Sequence, residues 1–142
     1  MKKILMRCIL LLLFVNVLLM GCGKENNPTI NREEDNKITP TITSEELKSS
    51  YEANPRMIII DLRTKQEYQD GHIQGAVQVD MEDLSALAIQ GLQDKGVKIV
   101  IYSESRKKSQ EGMEILESLK YENVDSLGSV HDWKYDFIKD KK

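Results

Sequence analysis

Seven consecutive polar side chains, Ser103-Glu104-Ser105-Arg106-Lys107-Lys108-Ser109, are the stretch of the sequence best equipped for chemistry. They bring together hydroxyls, a carboxylate and three bases. A serine there could serve as a nucleophile only beside a general base, because its hydroxyl ionises far less readily than a thiol. The chain offers two histidines for that role, His72 and His131. Arg106, Lys107 and Lys108 could instead hold a small anion such as sulfate or phosphate without any covalent step, or form a solvated basic turn.

What precedes and follows this stretch decides where it sits. Residues 97–102 (VKIVIY) are β-branched and mostly apolar, as in a buried parallel strand. The polar stretch 103–108 reads as a loop. From about Ser109 the spacing becomes helical, with Gly112, Ile115, Leu116 and Leu119 on one face. A strand, a tight loop and a helix converge loop amides and the first helical N–H groups on one point, which favours anions. Ser103 then lies at the carboxyl edge of the strand, where open α/β sheets place their sites.

The rest of the chain supplies a scaffold of alternating strands and helices, hence a parallel sheet covered on both faces. Residues 41–43 could form a short edge strand, and Thr43-Ser44-Glu45-Glu46 is a capping box with Leu47 and Tyr51 behind it. Residues 57–60 read as a central strand. Thr64-Lys65-Gln66-Glu67 is a second capping box, opening a short helix ended by Gly71. A third short strand is expected over 75–79. Asp80 is placed to cap a helix over 81–89 with Leu84, Leu87 and Ala88 inward. Residues 124–127 read as the last strand and 130–138 as a terminal helix carrying Trp133 and Phe137.

At the N-terminus, Lys2, Lys3 and Arg7 precede an apolar run over residues 9–20 broken only by Asn16. Twelve residues fall short of the ~20 that a spanning helix needs, so residues 1–21 read as a signal peptide. Leu19-Met20-Gly21-Cys22 resembles the bacterial lipobox. That resemblance implies cleavage before Cys22, diacylglycerol on its sulfur, and an anchor on the extracytoplasmic face of the cell membrane, where two or more acyl chains hold stably. Residues 22–40 then form the lipidated N-terminus and a polar, flexible linker, leaving 41–142 as the domain. The linker would span about 23 Å root-mean-square. Cys8 and Cys22 are the chain's only cysteines, so processing leaves neither a disulfide nor a free thiol in the domain. The processed chain keeps 17 bases and 23 acids, a net charge of −6 that disfavours nucleic acid. No cofactor or metal cluster is indicated.

Three blocks give the scaffold a relative. Asp61-Leu62-Arg63-Thr64-Lys65-Gln66-Glu67-Tyr68, Gly71-His72-Ile73-Gln74-Gly75-Ala76 and Leu127-Gly128-Ser129-Val130-His131-Asp132-Trp133 resemble, in order, the D-x-R-x-x-x-E-[FY], G-H-I-x-G-A and L-x-G-G-x-x-x-W blocks of single-domain rhodaneses. The third block is looser, with one glycine and a shorter gap to the tryptophan. The resemblance implies the rhodanese α/β fold, with about five parallel strands and helices on both sides. It implies scaffold roles for most matched residues. Asp61 and Arg63 would pair to brace loops, Gly71 and Gly75 would serve turns, His72 would be a hydrogen-bonded turn residue rather than a base, and Trp133 would pack the last helix onto the sheet.

The resemblance also implies that residues 103–109 stand where catalytic rhodaneses carry C-R-x-G-x-R-S, whose cysteine accepts a sulfane sulfur. Ser103 replaces that cysteine, Glu104 the following arginine and Arg106 the glycine. An oxygen cannot form a persulfide, and Glu104 sets a negative charge where an anionic donor would enter. The reading that follows is a lipid-anchored, non-catalytic binding or accessory module, with an unidentified envelope protein as partner. The alternatives are a sulfurtransferase assisted by a partner's thiol, and a Ser103-dependent hydrolase with His131 or His72 as base.

Overall fold

The computed structural model describes residues 32–139. The expected signal peptide, Cys22 and the first part of the expected linker lie outside the described residues. Four parallel strands form one sheet in the order β2-β1-β3-β4: β1 is Ile58–Asp61, β2 Ala76–Gln78, β3 Ile99–Ser103 and β4 Val124–Ser129. The two central strands are those whose sequences are apolar on both faces. Ile59, Val100 and Tyr102 point to one side, with Leu47, Ile73 and Leu127. Ile60, Ile99 and Ile101 point to the other, with Leu84, Ala88, Leu116 and Tyr121.

The helices are α1 (Arg32–Asp35), α2 (Ser44–Ala53), α3 (Lys65–Asp70), α4 (Leu84–Gly91) and α5 (Arg106–Ser118). Both capping boxes form. The Thr43 hydroxyl accepts from the Glu46 N–H while the Glu46 carboxylate accepts from the Thr43 N–H, and Thr64 and Glu67 repeat the arrangement. These reciprocal bonds satisfy helix-end donors locally, so the sequence alone specifies where α2 and α3 begin. Gly71 caps the end of α3. Gly112 lets α5 lie close against the sheet, since a Cβ there would come within 2.5 Å of Leu62 Cδ1.

Four expectations are corrected. The sheet has four strands, not five: residues 41–43 do not join it as a strand. The N–H groups of Thr41 and Ile42 both donate to the Ser126 carbonyl, and the Thr41 hydroxyl bonds Asp125 and the Ser126 N–H, so this segment fastens the edge of β4 without extending the ladder. The terminal helix is absent. Val130–Asp132 makes a single 3₁₀ turn, after which the chain is irregular, with a bend at Tyr135, until Ile138 pairs antiparallel with His72. Trp133 therefore packs on the Leu47–Leu127 side of the core from an irregular segment, not from a helix. Helix α4 starts at Leu84 rather than 81, and Asp80 accepts from Gln78 Nε2 instead of capping it. Leu84 and Ala88 are buried as expected, but Leu87 is 41% exposed.

Among the described residues no helix is long and apolar enough to cross a membrane.

Candidate functional site

The fourth correction concerns the polar stretch itself. Ser103 is not the first loop residue but the last residue of β3, and α5 already begins at Arg106, with Ser105 as its N-cap. The loop is thus reduced to two residues. Arg106, Lys107 and Lys108 occupy the first helical turn, and the Ser105 hydroxyl accepts from the Lys108 N–H at 3.2 Å. A register shift after Ile101 sets Ser103 opposite Ser129 of β4.

Ser103 is fully buried at the carboxyl end of the sheet. Its hydroxyl donates to the carboxylate of Glu104. Lys108 Nζ lies 3.2 and 3.4 Å from the two Glu104 oxygens, one turn along the helix. Hydroxyl, carboxylate and ammonium therefore form one chain of contacts. Ser109 is buried behind it and donates to the Gly128 carbonyl at 2.5 Å, tying α5 to β4. The Ser129 hydroxyl donates to the Glu104 carbonyl at 3.2 Å and fixes the two-residue turn from the other side.

Internal acids hold the side chains of two of the three bases in this segment, Arg106 and Lys108. The Arg106 guanidinium grips Asp132 through two nitrogens at 2.9 and 2.6 Å. Burial works against both charges, but the mutual hydrogen bonds outweigh it: the Asp132 carboxyl is held below its ordinary range and the Arg106 guanidinium is raised. Residues before the domain add a further acid. The Lys107 N–H donates to the Asp35 carboxylate at 2.8 Å, and Arg106 reaches the Ile38 carbonyl at 3.4 Å. A first-turn amide of α5, the kind of donor that attracts anions, is thus taken by a side chain of the same molecule.

Sequence reasoning did not single out Asp35, Ser129 or Asp132 as members of this site. Ser129-Val130-His131-Asp132 does carry a capping-box spacing, and both of its bonds form. Asp35 lies 72 positions from its partner, and no local pattern announces it. Asp35, Glu104, Arg106, Ser129, His131 and Asp132 line a cleft of about 470 Å³.

The scaffold residues surround this edge. Arg63 holds the fully buried Asp61 carboxylate through Nε at 3.0 and 3.2 Å and Nη2 at 2.6 Å, and reaches the Gly71 carbonyl at 2.8 Å. Burial favours the neutral guanidine, yet the Asp61 carboxylate overrides it and raises the Arg63 pKa. Burial, with the Asp61 charge nearby, holds the Tyr102 phenol protonated well above its ordinary range. That hydroxyl accepts the Ile73 N–H at 3.2 Å. Glu67 stays in its capping box. Gly75 has φ +81°, and a Cβ there would strike the Tyr51 hydroxyl.

The two histidines differ. His72 is buried, stacks on Tyr68 with centroids 3.7 Å apart, and places Nδ1 2.9 Å from the Tyr68 carbonyl. His131 is exposed on the cleft beside Glu104. Among the described residues no group of three or more His, Cys, Asp or Glu could hold a metal ion.

Comparison with known proteins agrees with this architecture. The rhodanese-like domain model matches residues 43–136. The chain belongs to the rhodanese-like domain family. It is 27% identical over 73 residues to the thiosulfate sulfurtransferase PspE of Escherichia coli (strain K12), covering 51% of this chain and 70% of PspE. The crystal structure of the Alr3790 protein from Anabaena sp. superposes with a TM-score of 0.61 at 32% identity, over 65% of this chain and 74% of that one. A rhodanese with anions from E. coli gives a TM-score of 0.55 at 25% identity, over 59% of this chain and 99% of that one.

Proposed function

We propose that this member of the family is a lipid-anchored, extracytoplasmic rhodanese-like domain that lacks cysteine-dependent sulfur transfer and works as a binding or accessory module. The observation that carries the reading is Ser103: a buried hydroxyl, bonded to its neighbour's carboxylate, at the sheet edge where the resemblance puts the sulfur-accepting cysteine. An oxygen there cannot be charged with sulfane sulfur, and the chain's thiols are confined to Cys8 and Cys22. The Leu19–Cys22 lipobox supports the anchor and takes both cysteines out of play, one by cleavage and one by thioether formation.

The internal pairing also argues against a retained anion site. Asp132 and Glu104 hold the side chains of Arg106 and Lys108, and Asp35 takes the Lys107 amide. To reach any of these donors, an incoming sulfate would first have to displace the carboxylate already bound there. Calorimetric titration with sulfate, phosphate and thiosulfate is expected to give no heat up to millimolar concentrations.

The similarity to PspE favours a second reading, sulfur transfer completed by a partner's thiol. A Ser103-dependent hydrolase has less support, because the hydroxyl is buried and faces Glu104 while the His72 ring is packed on Tyr68. Cyanide-dependent thiocyanate formation from thiosulfate, measured on the wild type and on Ser103→Cys, separates these readings. The wild type alone is expected to be inactive. Turnover by the wild type overturns the non-catalytic reading, and turnover only after adding a thiol protein supports the partner-assisted one.

A further inference from the structure

Away from Ser103, a cavity of about 630 Å³ opens between α2 and the irregular segment that follows the 3₁₀ turn. None of its lining residues belongs to the 103–109 stretch. Its volume falls in the range of small-molecule sites. It lies where residues 133–138 form no helix, and Leu47, Ile59 and Ile73, each almost completely buried, close it from behind.

Its walls have a definite chemistry. Trp133 and Tyr135 meet edge to face, with centroids 5.1 Å apart and planes at 65°, forming an aromatic corner. One cation already uses that corner: Lys48 Nζ lies 4.5 Å from the Tyr135 ring centroid. The rim carries charges of both signs. Lys134 is drawn off by Glu45 at 3.0 Å, whereas no ion pair among the described residues occupies the carboxylates of Glu52 and Asp136. Aromatic faces beside two carboxylates that no ion pair occupies among the described residues suit a positively charged organic group, since ring quadrupoles attract cations.

We propose that this cavity binds an organic ammonium ion, with Trp133 and Tyr135 as its aromatic wall, Glu52 and Asp136 as counter-charges, and Lys48 as an internal competitor. The ligand chemistry could come from a small methylated ammonium or from a lysine side chain of a polypeptide. The inference does not depend on what Ser103 can or cannot do.

Trp133 is the chain's single tryptophan, so its emission reports this cavity alone. The full chain is titrated with tetramethylammonium chloride and, separately, with Nα-acetyl-lysine methylamide, each against sodium chloride at equal ionic strength. A saturable emission change is expected for at least one probe, and the tighter of the two identifies the source. Removing the competitor in Lys48→Ala should tighten binding about 2- to 5-fold, and Tyr135→Leu should weaken it by about the same factor, the range expected of one cation–π contact. The tightening is the decisive arm, because a variant that merely damaged the fold could not produce it. No saturable response beyond the salt control in either the wild type or Lys48→Ala overturns the proposal. So does weaker binding by Lys48→Ala.

Discussion

Replacing Ser103 by cysteine puts a thiol at the carboxyl end of β3, and the surrounding charges determine how acidic it is. The Ser103 hydroxyl bonds the Glu104 carboxylate, so a thiolate in its place would face a like charge at contact distance. Two like charges about 4 Å apart repel by about 4 kcal/mol at an effective dielectric near 20, equivalent to roughly 3 pKa units. Lys108, 3.2 Å from the same carboxylate, offsets much of that repulsion. The N-terminus of α5 contributes about 0.3–1 kcal/mol in the thiolate's favour. Full burial of position 103 opposes the thiolate as well, so the thiol of Ser103→Cys should lie above the ~8.5 of a free cysteine and stay protonated at neutral pH. Adding Glu104→Gln should lower it by about 1–2 units, because the repelling charge goes while Lys108 remains. The assay is the rate of iodoacetamide alkylation against pH, followed by mass spectrometry of the peptide carrying residue 103. Equal pKa values for the single and double variants would refute the reasoning, as would a single variant already acidic enough to be a thiolate at pH 7.

Three further outcomes test the scaffold. Asp61→Asn leaves the Arg63 guanidinium, 8% exposed, without its counter-charge; urea unfolding should show a loss of about 3–5 kcal/mol, and a loss below about 1 kcal/mol would contradict the pairing. Gly112→Ala forces a methyl group against Leu62 Cδ1 and should cost about 1–3 kcal/mol by overpacking; a neutral substitution would show that α5 can lift off the sheet freely. Glu67 is held below its ordinary value of 4.5 mainly by the Thr64 hydroxyl. A carboxyl depressed on folding stabilises above its unfolded pKa, and the gain disappears as pH falls through the folded value. Thermal melts should therefore lose stability below about pH 4.5, with Thr64→Val flattening that dependence; parallel acid profiles for the two proteins would exclude Glu67 as its source.

Local chemistry made much of this fold legible. The Thr43–Glu46 and Thr64–Glu67 boxes are closed within four residues, and the runs ending at Asp61 and Ser103 are apolar on both faces because both faces are covered. Trp133 and Phe137 share a helical spacing and misled for that reason. The Asp132 carboxylate is taken by Arg106 and by the Ser129 N–H, and the chain beyond it is captured by His72, a partner far off in sequence that no local pattern encodes. The start of α5 was obscured by composition: its first turn is all polar, and Ser105 is followed at the third position by Lys108 rather than by glutamate, so the box signature is missing although the serine caps. The site itself was half visible. The order of residues 103–109 exposed a serine hydroxyl at the strand end and the charge of Glu104 beside it. The Asp35 contact, which takes a first-turn amide of α5, comes from a stretch whose composition reads as linker.

The central claim is that residue 103 cannot carry sulfur. The most direct measurement is the mass of the purified chain after incubation with thiosulfate, followed by peptide mapping without reductant. An unchanged mass is expected for the wild type. A sulfur adduct mapped to residue 103 of the wild-type chain would contradict the claim.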